Sequence, residues 1–409
     1  MAREITTNKR IFWAVQALMI AGDCGIKTAE LDSCDFVHGV QSVGITTTFN
    51  LEQVFELGKL ELYENIETLP DIEVTAEKVL DGRNLLYTKG SPSSNLVGHS
   101  LGAGNPVGLV TGANDRTDMV LAIYDDTASF AGGEPINEWV YMSGMYVSSV
   151  SYTLPVDGNM TESVTFVGNH KVWKEGPDIE DTPLLKEGGD HDLDEDDPVL
   201  GTEGHPSDGV QRRENLKLES CIFPSDMDGV VGNAVGNALS NVTDPTSIRP
   251  HMQSITISAD LGRDAIFELG RKGPYHRYVT FPLEITCDIE VISEIGDRIN
   301  AREEGLSVDT VGGTNPDGGA GATDERVNGQ TVKAGNNLAD QRIYIVLDDE
   351  TAFDLGTKNK LSSVTYTGGD TGGGNVSVTY SYSNFNSFTV TDPCGANNIL
   401  NWDCDTTVN

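Results

Sequence analysis

Basic residues are scarce in this chain. Its 27 lysines and arginines stand against 63 aspartates and glutamates, a formal net charge of −36 over 409 residues. A surface with that balance repels nucleic acid and anionic membrane, which argues against a tight nucleic-acid binder or a polybasic anchor. Aromatic residues make up only 7% and apolar residues 38% of the chain, lean for an enzyme core but enough for small β domains with many turns. No apolar run reaches the roughly 18 residues that cross a bilayer. The six cysteines (Cys24, Cys34, Cys221, Cys287, Cys394 and Cys404) include no Cys-x-x-Cys pair, so zinc and thioredoxin-like sites lack their spacing. Scattered thiols suit a reducing compartment. Walker loops, dinucleotide fingerprints and H-E-x-x-H helices are also missing, and the seven histidines are dispersed. No catalytic residue, metal ligand set or cofactor is assigned.

Gly98-His99-Ser100-Leu101-Gly102 does match a G-x-S-x-G nucleophile elbow, with His170 or His251 as a candidate base. That motif needs a strand-to-helix turn above a parallel sheet. Here Gly104 and Pro106 follow at once, where a helix should start. An esterase using Ser100 is the weaker alternative.

What is present is a repeat. Residues 41–80 and 253–291 share Gln41-Ser42 with Gln253-Ser254, Phe55-Glu56-Leu57-Gly58 with Phe267-Glu268-Leu269-Gly270, and Pro70 with Pro282, all 212 positions apart. Period-two alternation surrounds both copies. Val43, Ile45, Thr47 and Phe49 alternate with Ser42, Gly44, Thr46 and Thr48; Ile72, Val74 and Ala76 with Glu73, Thr75 and Glu77. In the second copy Ile255, Ile257, Ala259 and Leu261, then Leu283, Ile285, Cys287, Ile289 and Val291, do the same. Further strands are expected at 119–124, 139–152 and 162–173, with Trp139 and Trp173 in the core. Gly-rich excursions fall at 89–118 and 303–340. Ser148-Ser149-Val150-Ser151-Tyr152 meets Ser362-Ser363-Val364-Thr365-Tyr366 later in each copy.

The expected organisation is therefore mainly β, with two tandem sandwich or open-barrel domains at 37–174 and 250–391. Each has at most a short helix, plus long loops. A lead-in and acidic linker cover 175–249, and a tail covers 392–409. Residues 175–208 hold thirteen acids and one lysine, a solvated run. Asp190, Asp192 and Asp194 suggest calcium, but Glu195 stands where an EF-hand loop needs glycine. Within 1–36, Lys9-Arg10 followed by Ile11–Ile20 imitates a secretion signal. Asp23 does not suit its cleavage site, so a short docking helix is expected there.

Phe55–Tyr63 with Pro70-Asp-Ile-Glu-Val, and again Phe267–Val291, resembles the tail tube (major tail) proteins of tailed bacteriophages. The resemblance covers both repeats and excludes the acidic linker. It implies β-sandwich or open-barrel domains in rings that stack into a conduit for DNA ejection. Two domains per chain imply a trimer with pseudo-sixfold symmetry, located in the virion tail after assembly in the host cytoplasm. Sheath, baseplate and tail-terminator proteins are implied partners; double-stranded DNA passes without specific binding, and no membrane is involved. On this reading Phe55, Leu57, Tyr63, Phe267, Leu269 and Tyr275, on the connections 51–69 and 263–281, make inter-domain or inter-ring contacts. Glu73, Glu77, Glu284, Asp288 and Glu290 face the lumen. The bland counterparts are that Phe55 and Leu57 plug their own core, and that the acids face ordinary solvent. A tandem β-sandwich adhesin or capsid decoration protein, with separate domains on a flexible linker, is the other alternative.

Overall fold

The computed structural model describes residues 11, 16–21, 34–91, 106–124, 138–175, 209–218, 220–224, 227, 251–271, 273–293, 326–327, 330–331, 338, 340–368 and 374–391. Ser100, the acidic run 176–208 and the tail 392–409 lie outside them. The fold is mainly β. In chain order the strands are β1 (Gln16–Ala21), β2 (Cys34–Phe36), β3 (Val40–Thr48), β4 (Leu51–Phe55), β5 (Leu62–Glu67), β6 (Asp71–Val79), β7 (Pro106–Gly108), β8 (Thr117–Ile123), β9 (Glu138–Pro155), β10 (Thr161–Gly168) and β11 (His170–Glu175). They continue with β12 (Met252–Asp260), β13 (Arg263–Ile266), β14 (His276–Val279), β15 (Glu284–Ile292), β16 (Arg326–Val327), β17 (Gln330–Thr331), β18 (Tyr344–Val346), β19 (Ala352–Asp354), β20 (Lys360–Thr367), β21 (Ser377–Phe385) and β22 (Thr389–Thr391). Among the described residues one α-helix, α1 (Leu86–Gly90), follows β6, and a single 3-10 turn covers Arg213–Asn215.

Eight strands make one antiparallel sheet in the order β3-β6-β10-β9-β12-β15-β21-β20. Alternation gives it an apolar face and a polar face. The apolar face is covered by two smaller sheets, β2-β1-β8-β9-β11 and β18-β19-β22-β7. β9 serves both layers. Its bend falls at Gly144, φ +65, whose amide donates to the Asp118 carboxylate at 2.6 Å. A side chain is strained at that φ. One hydrophobic cluster runs through both halves.

The two halves of the main sheet share register in detail. Val43 faces Ala76 and Ile45 faces Val74 across β3·β6; Ile255 faces Ile289 and Ile257 faces Cys287 across β12·β15. A bulge falls at Gln41 in one pair and at Gln253 in the other. Ser42 reaches Glu77 at 3.4 Å, and Ser254 reaches Glu290 at 3.3 Å. Ser148 and Ser362 form matching bulges in β9 and β20.

Some expectations need correction. Gln16–Ala21 is strand β1, not helix: it pairs along β8, and Leu18 and Ile20 enter the core. An apolar stretch this short satisfies its backbone better between two strands, here β2 and β8, than as an isolated helix. Residues 162–173 are two strands, β10 and β11, in different sheets. Trp139 is buried, but Trp173 is 54% exposed. The first Gly-rich excursion is partly packed, with Leu109 and Ala113 in the core. Part of the linker is packed too. Leu216 and Ile222 bridge to Leu347 and Tyr344, as β1 flanks β8.

Glu162 holds α1 in place. Its carboxylate accepts from the amides of Leu86 (2.6 Å) and Tyr87 (3.0 Å) and from the Tyr152 hydroxyl (2.9 Å). Gly90 then packs so closely on Phe166 that a Cβ would sit 2.5 Å from its ring. Glu162 lies opposite Lys78, also fully buried, which donates to Asp81. The matching cross-strand pair in the second half is Val378 and Val291.

Candidate functional site

The β9·β12 junction joins the two halves. Tyr152 faces Ile257, Val150 faces Ala259 and Leu154 faces Ile255. The Val156 amide donates to the Gln253 carbonyl and the Leu261 amide to the Ser148 carbonyl, each at 2.8 Å. Alternation along the ladder then puts the Tyr152 and Ile257 amides in the same junction. Tyr152 is fully buried and packs on Phe353, with ring centroids 4.6 Å apart.

The outer strands, β3 and β20, are the register counterparts of β12 and β9. Among the described residues each is paired on one side only, β3 with β6 and β20 with β21. The consequence shows in the side chains. Tyr366, counterpart of Tyr152, is 57% exposed where Tyr152 is 0%. Ile45 and Val43 are half-buried where Ile257 and Ile255 are buried.

The two long connections are hairpin arms rather than irregular loops: β4 pairs with β5, and β13 with β14. Phe-Glu-Leu-Gly is their turn. Gly58 and Gly270 hold φ of +88 and +87, in the region that favours glycine. Glu56 pairs with Lys59 at 2.7 Å, and Glu268 with Arg271 at 3.8 Å. These exposed pairs contribute little energy, but they show one turn built twice. Phe55, Leu57, Tyr63, Phe267, Leu269 and Tyr275 are all exposed. Neither Phe55 nor Leu57 plugs a core.

The arms differ along their flanks. The β13–β14 arm lies against the first half. His276 Nδ1 is 3.2 Å from the Tyr146 hydroxyl, Arg277 binds Asp71 at 2.5 Å and Asn169 at 2.9 Å, and the Arg263 Nε donates to the Val147 carbonyl at 2.7 Å. Burial pushes the Asp71 carboxyl up, but hydrogen bonds from Asn50, Arg277 and Asn169 outweigh it and hold it below its ordinary value. The β4–β5 arm is exposed almost throughout.

The polar face carries hydroxyls and carboxylates. Glu73 and Glu77 alternate with buried residues on β6, and Glu284, Asp288 and Glu290 do so on β15. All five point away from the core. Ser149, Ser151, Thr153, Ser254, Thr256 and Ser258 occupy that face between them. Among the described residues no group of three metal-ligating side chains occurs, and no helix is long and apolar enough to cross a membrane. The named strand pairs are all antiparallel, unlike the parallel sheet that a hydrolase elbow on Ser100 requires. His170 opens β11 and His251 directly precedes β12, strands that pair with opposite ends of β9.

The arm turns and the five carboxylates were readable as candidates in the sequence. The free edges and the built junction were not: both depend on which strand ends up outermost.

No protein-family model matches the chain, and no curated protein matches it. Solved structures similar to it include the tube-terminating cap of the anti-feeding prophage, at 10% identity over 42% of this chain and 97% of that one, TM-score 0.28. A chain of the sheath–tube complex of an extracellular contractile injection system, in the extended state, is similar at 11% identity over 41% and 93%, TM-score 0.28. One from the virion of a native gene transfer agent is similar at 10% identity over 38% and 95%, TM-score 0.23. Likeness at these scores decides nothing about role.

Proposed function

We propose that this chain is a structural subunit of a phage-type tail tube, a tandem duplication of one tube domain that closes edge to edge into rings. One observation carries the reading: the chain already contains a finished junction between counterparts of its own two open edges. β9 joins β12, so β20 of one copy is built to join β3 of the next. Transferring the register places Tyr366 opposite Ile45, Thr365 opposite Thr46 and Val364 opposite Thr47. Such head-to-tail contacts close into a ring when the rotation allows, and closure removes exposed edges that otherwise invite aggregation.

Three copies per ring give six tube units. A closed sheet of about 24 strands, about 4.8 Å apart and tilted about 40°, has a backbone diameter of roughly 48 Å. With the apolar face packed outward, the carboxylate face lines the passage. The net negative charge of that wall repels phosphates, so duplex DNA slides through. The arm tips, exposed in both halves, contact stacked rings. Sheath, baseplate and terminator proteins are the further partners on this reading. The tail of the virion is its location, after assembly in the host cytoplasm. Separate adhesin or decoration modules on a flexible linker fit poorly with one sheet and one core running through both halves.

Electron microscopy of the purified protein tests the proposal. Wild type is expected as rings and stacked tubes. Phe55→Ala with Phe267→Ala should change folding stability by less than about 1 kcal/mol, because both side chains are exposed, yet give rings that stack poorly. Wild-type particles that remain single and ringless would sink the reading.

The lining has its own test. Tubes with Glu73, Glu77, Glu284 and Glu290 changed to Gln and Asp288 to Asn should retain duplex DNA several-fold more at low salt than wild-type tubes. Equal retention would remove the repulsive role of these acids.

A further inference from the structure

The internal junction is a template for the junction between copies, but the side chains at matching positions differ in chemistry. Tyr146 lies opposite Val167 on β10, as Lys360 lies opposite Ser383 on β21. The facing residues are counterparts, because Phe166 and Tyr382, one position earlier on each strand, face Val74 and Cys287. His276 lies opposite Ile266 in its arm, as Glu64 lies opposite Val54. Arg277 and Asn65 correspond in the same way, opposite Ala265 and Gln53. Asp71 and Glu284 are the first residues of β6 and β15. At the internal junction Tyr146 and His276 meet edge to face, ring centroids 5.8 Å apart. At the junction between copies the same two places hold Lys360 and Glu64, of opposite charge.

Resting on the edge-pairing reading above, we infer that Lys360 of one copy pairs with Glu64 of the next. This pair selects a second copy of this chain for the open β20 edge. Beside it the Asn65 amide donates to Glu284, in the place of the Arg277–Asp71 contact.

Lys360 is equipped for this. Its ammonium pairs with Asp340 at 2.8 Å and donates to the Leu338 carbonyl at 2.6 Å. An ammonium has three N–H donors, so one is left for Glu64. The Lys360–Asp340 pair is about half exposed on both sides, weak enough alone to admit a second carboxylate. The arm that must approach is acidic, with Glu52, Glu56, Glu61, Glu64 and Glu67 against Lys59. Two copies of a chain with net charge −36 repel at long range, so a cation at the seat of an acidic arm gives the encounter both direction and register.

The test is a charge swap in the full chain, read as the critical concentration for assembly by analytical ultracentrifugation and microscopy. Thermal unfolding of each unassembled variant checks its fold. Glu64→Lys and Lys360→Glu should each raise the critical concentration about tenfold or more at low salt, with the gap narrowing as salt rises. The double variant Glu64→Lys/Lys360→Glu should return to within about threefold of wild type, and should co-assemble poorly with it, since mixed junctions oppose like charges. Single variants that assemble as wild type, or a double variant no better than the singles, overturn the pair while leaving edge pairing in place. Wild type that never assembles overturns the edge-pairing reading and this inference together.

Discussion

Tyr366→Pro is expected to abolish ring formation, raising the critical concentration by about a hundredfold or more, while the isolated chain keeps its fold to within about 1 kcal/mol. The backbone direction of β20 makes the position decisive. The Ser293 amide donates to the Val376 carbonyl at 3.0 Å, which extends the β15·β21 ladder and gives even-numbered β21 residues their bonds to β15. Odd-numbered residues therefore bond to β20, and Thr379 faces Thr365. The Thr365 amide thus serves the chain's own sheet, and the Tyr366 amide points to the open edge. Proline removes that donor and puts its ring where the next strand must lie, yet it is tolerated at an edge whose amide has no internal bond. Thr365→Pro should do the reverse, costing the isolated chain about 3 kcal/mol. Thermal unfolding and sedimentation of the two variants separate the effects. Tyr366→Pro tubes of normal length would show that β20 is not an assembly edge.

How much of this was legible in the sequence depends on range. Alternation in Val43–Thr48 and Ile72–Glu77 reported the strands and their faces, because a half-buried strand repeats every second residue. The paired Gln-Ser and Phe-Glu-Leu-Gly anchors marked a bulge and a turn, both local backbone features that depend on particular residues. Gln16–Ala21 misled because its apolar run has no clear period, and only the presence of β8 beside it decides for strand. Which strands meet across the middle was hidden as well. Ser151 and Thr153 look alike whether β9 ends a domain or joins β12. Charge at Lys360 and Glu64 is visible in the sequence, but it acquires meaning only when the register gives them the places that Tyr146 and His276 hold at the internal junction.

The second large effect concerns the buried carboxylate of the first half. Glu162→Ala should cost about 4 kcal/mol, because it removes the buried acceptor on which three donors converge and orphans two buried amides of α1. The second half locates that cost. Val378 and Val291 occupy the same cross-strand positions, so the sheet itself does not need the charged pair; α1 does. Lys78→Val with Glu162→Val should therefore leave β6·β10 protected from hydrogen exchange while amides at Leu86–Gly90 exchange faster. The carboxyl also sets a pH dependence. Burial pushes Glu162 up to about 7, against hydrogen bonds from the Tyr87 and Leu86 amides and the Tyr152 hydroxyl and against the Lys78 charge. A carboxyl with a raised folded pKa binds its proton more tightly when folded. Its contribution is therefore most favourable below the unfolded value and is lost as pH rises through about 7, some 3 kcal/mol in all. Glu162→Gln cannot titrate. The stability difference between wild type and Glu162→Gln should thus move against wild type from about pH 4.5 to 7, which subtracts the background of the other carboxylates. A flat difference across that window would mean that Glu162 stays ionised in the folded chain, held by its three donors and Lys78.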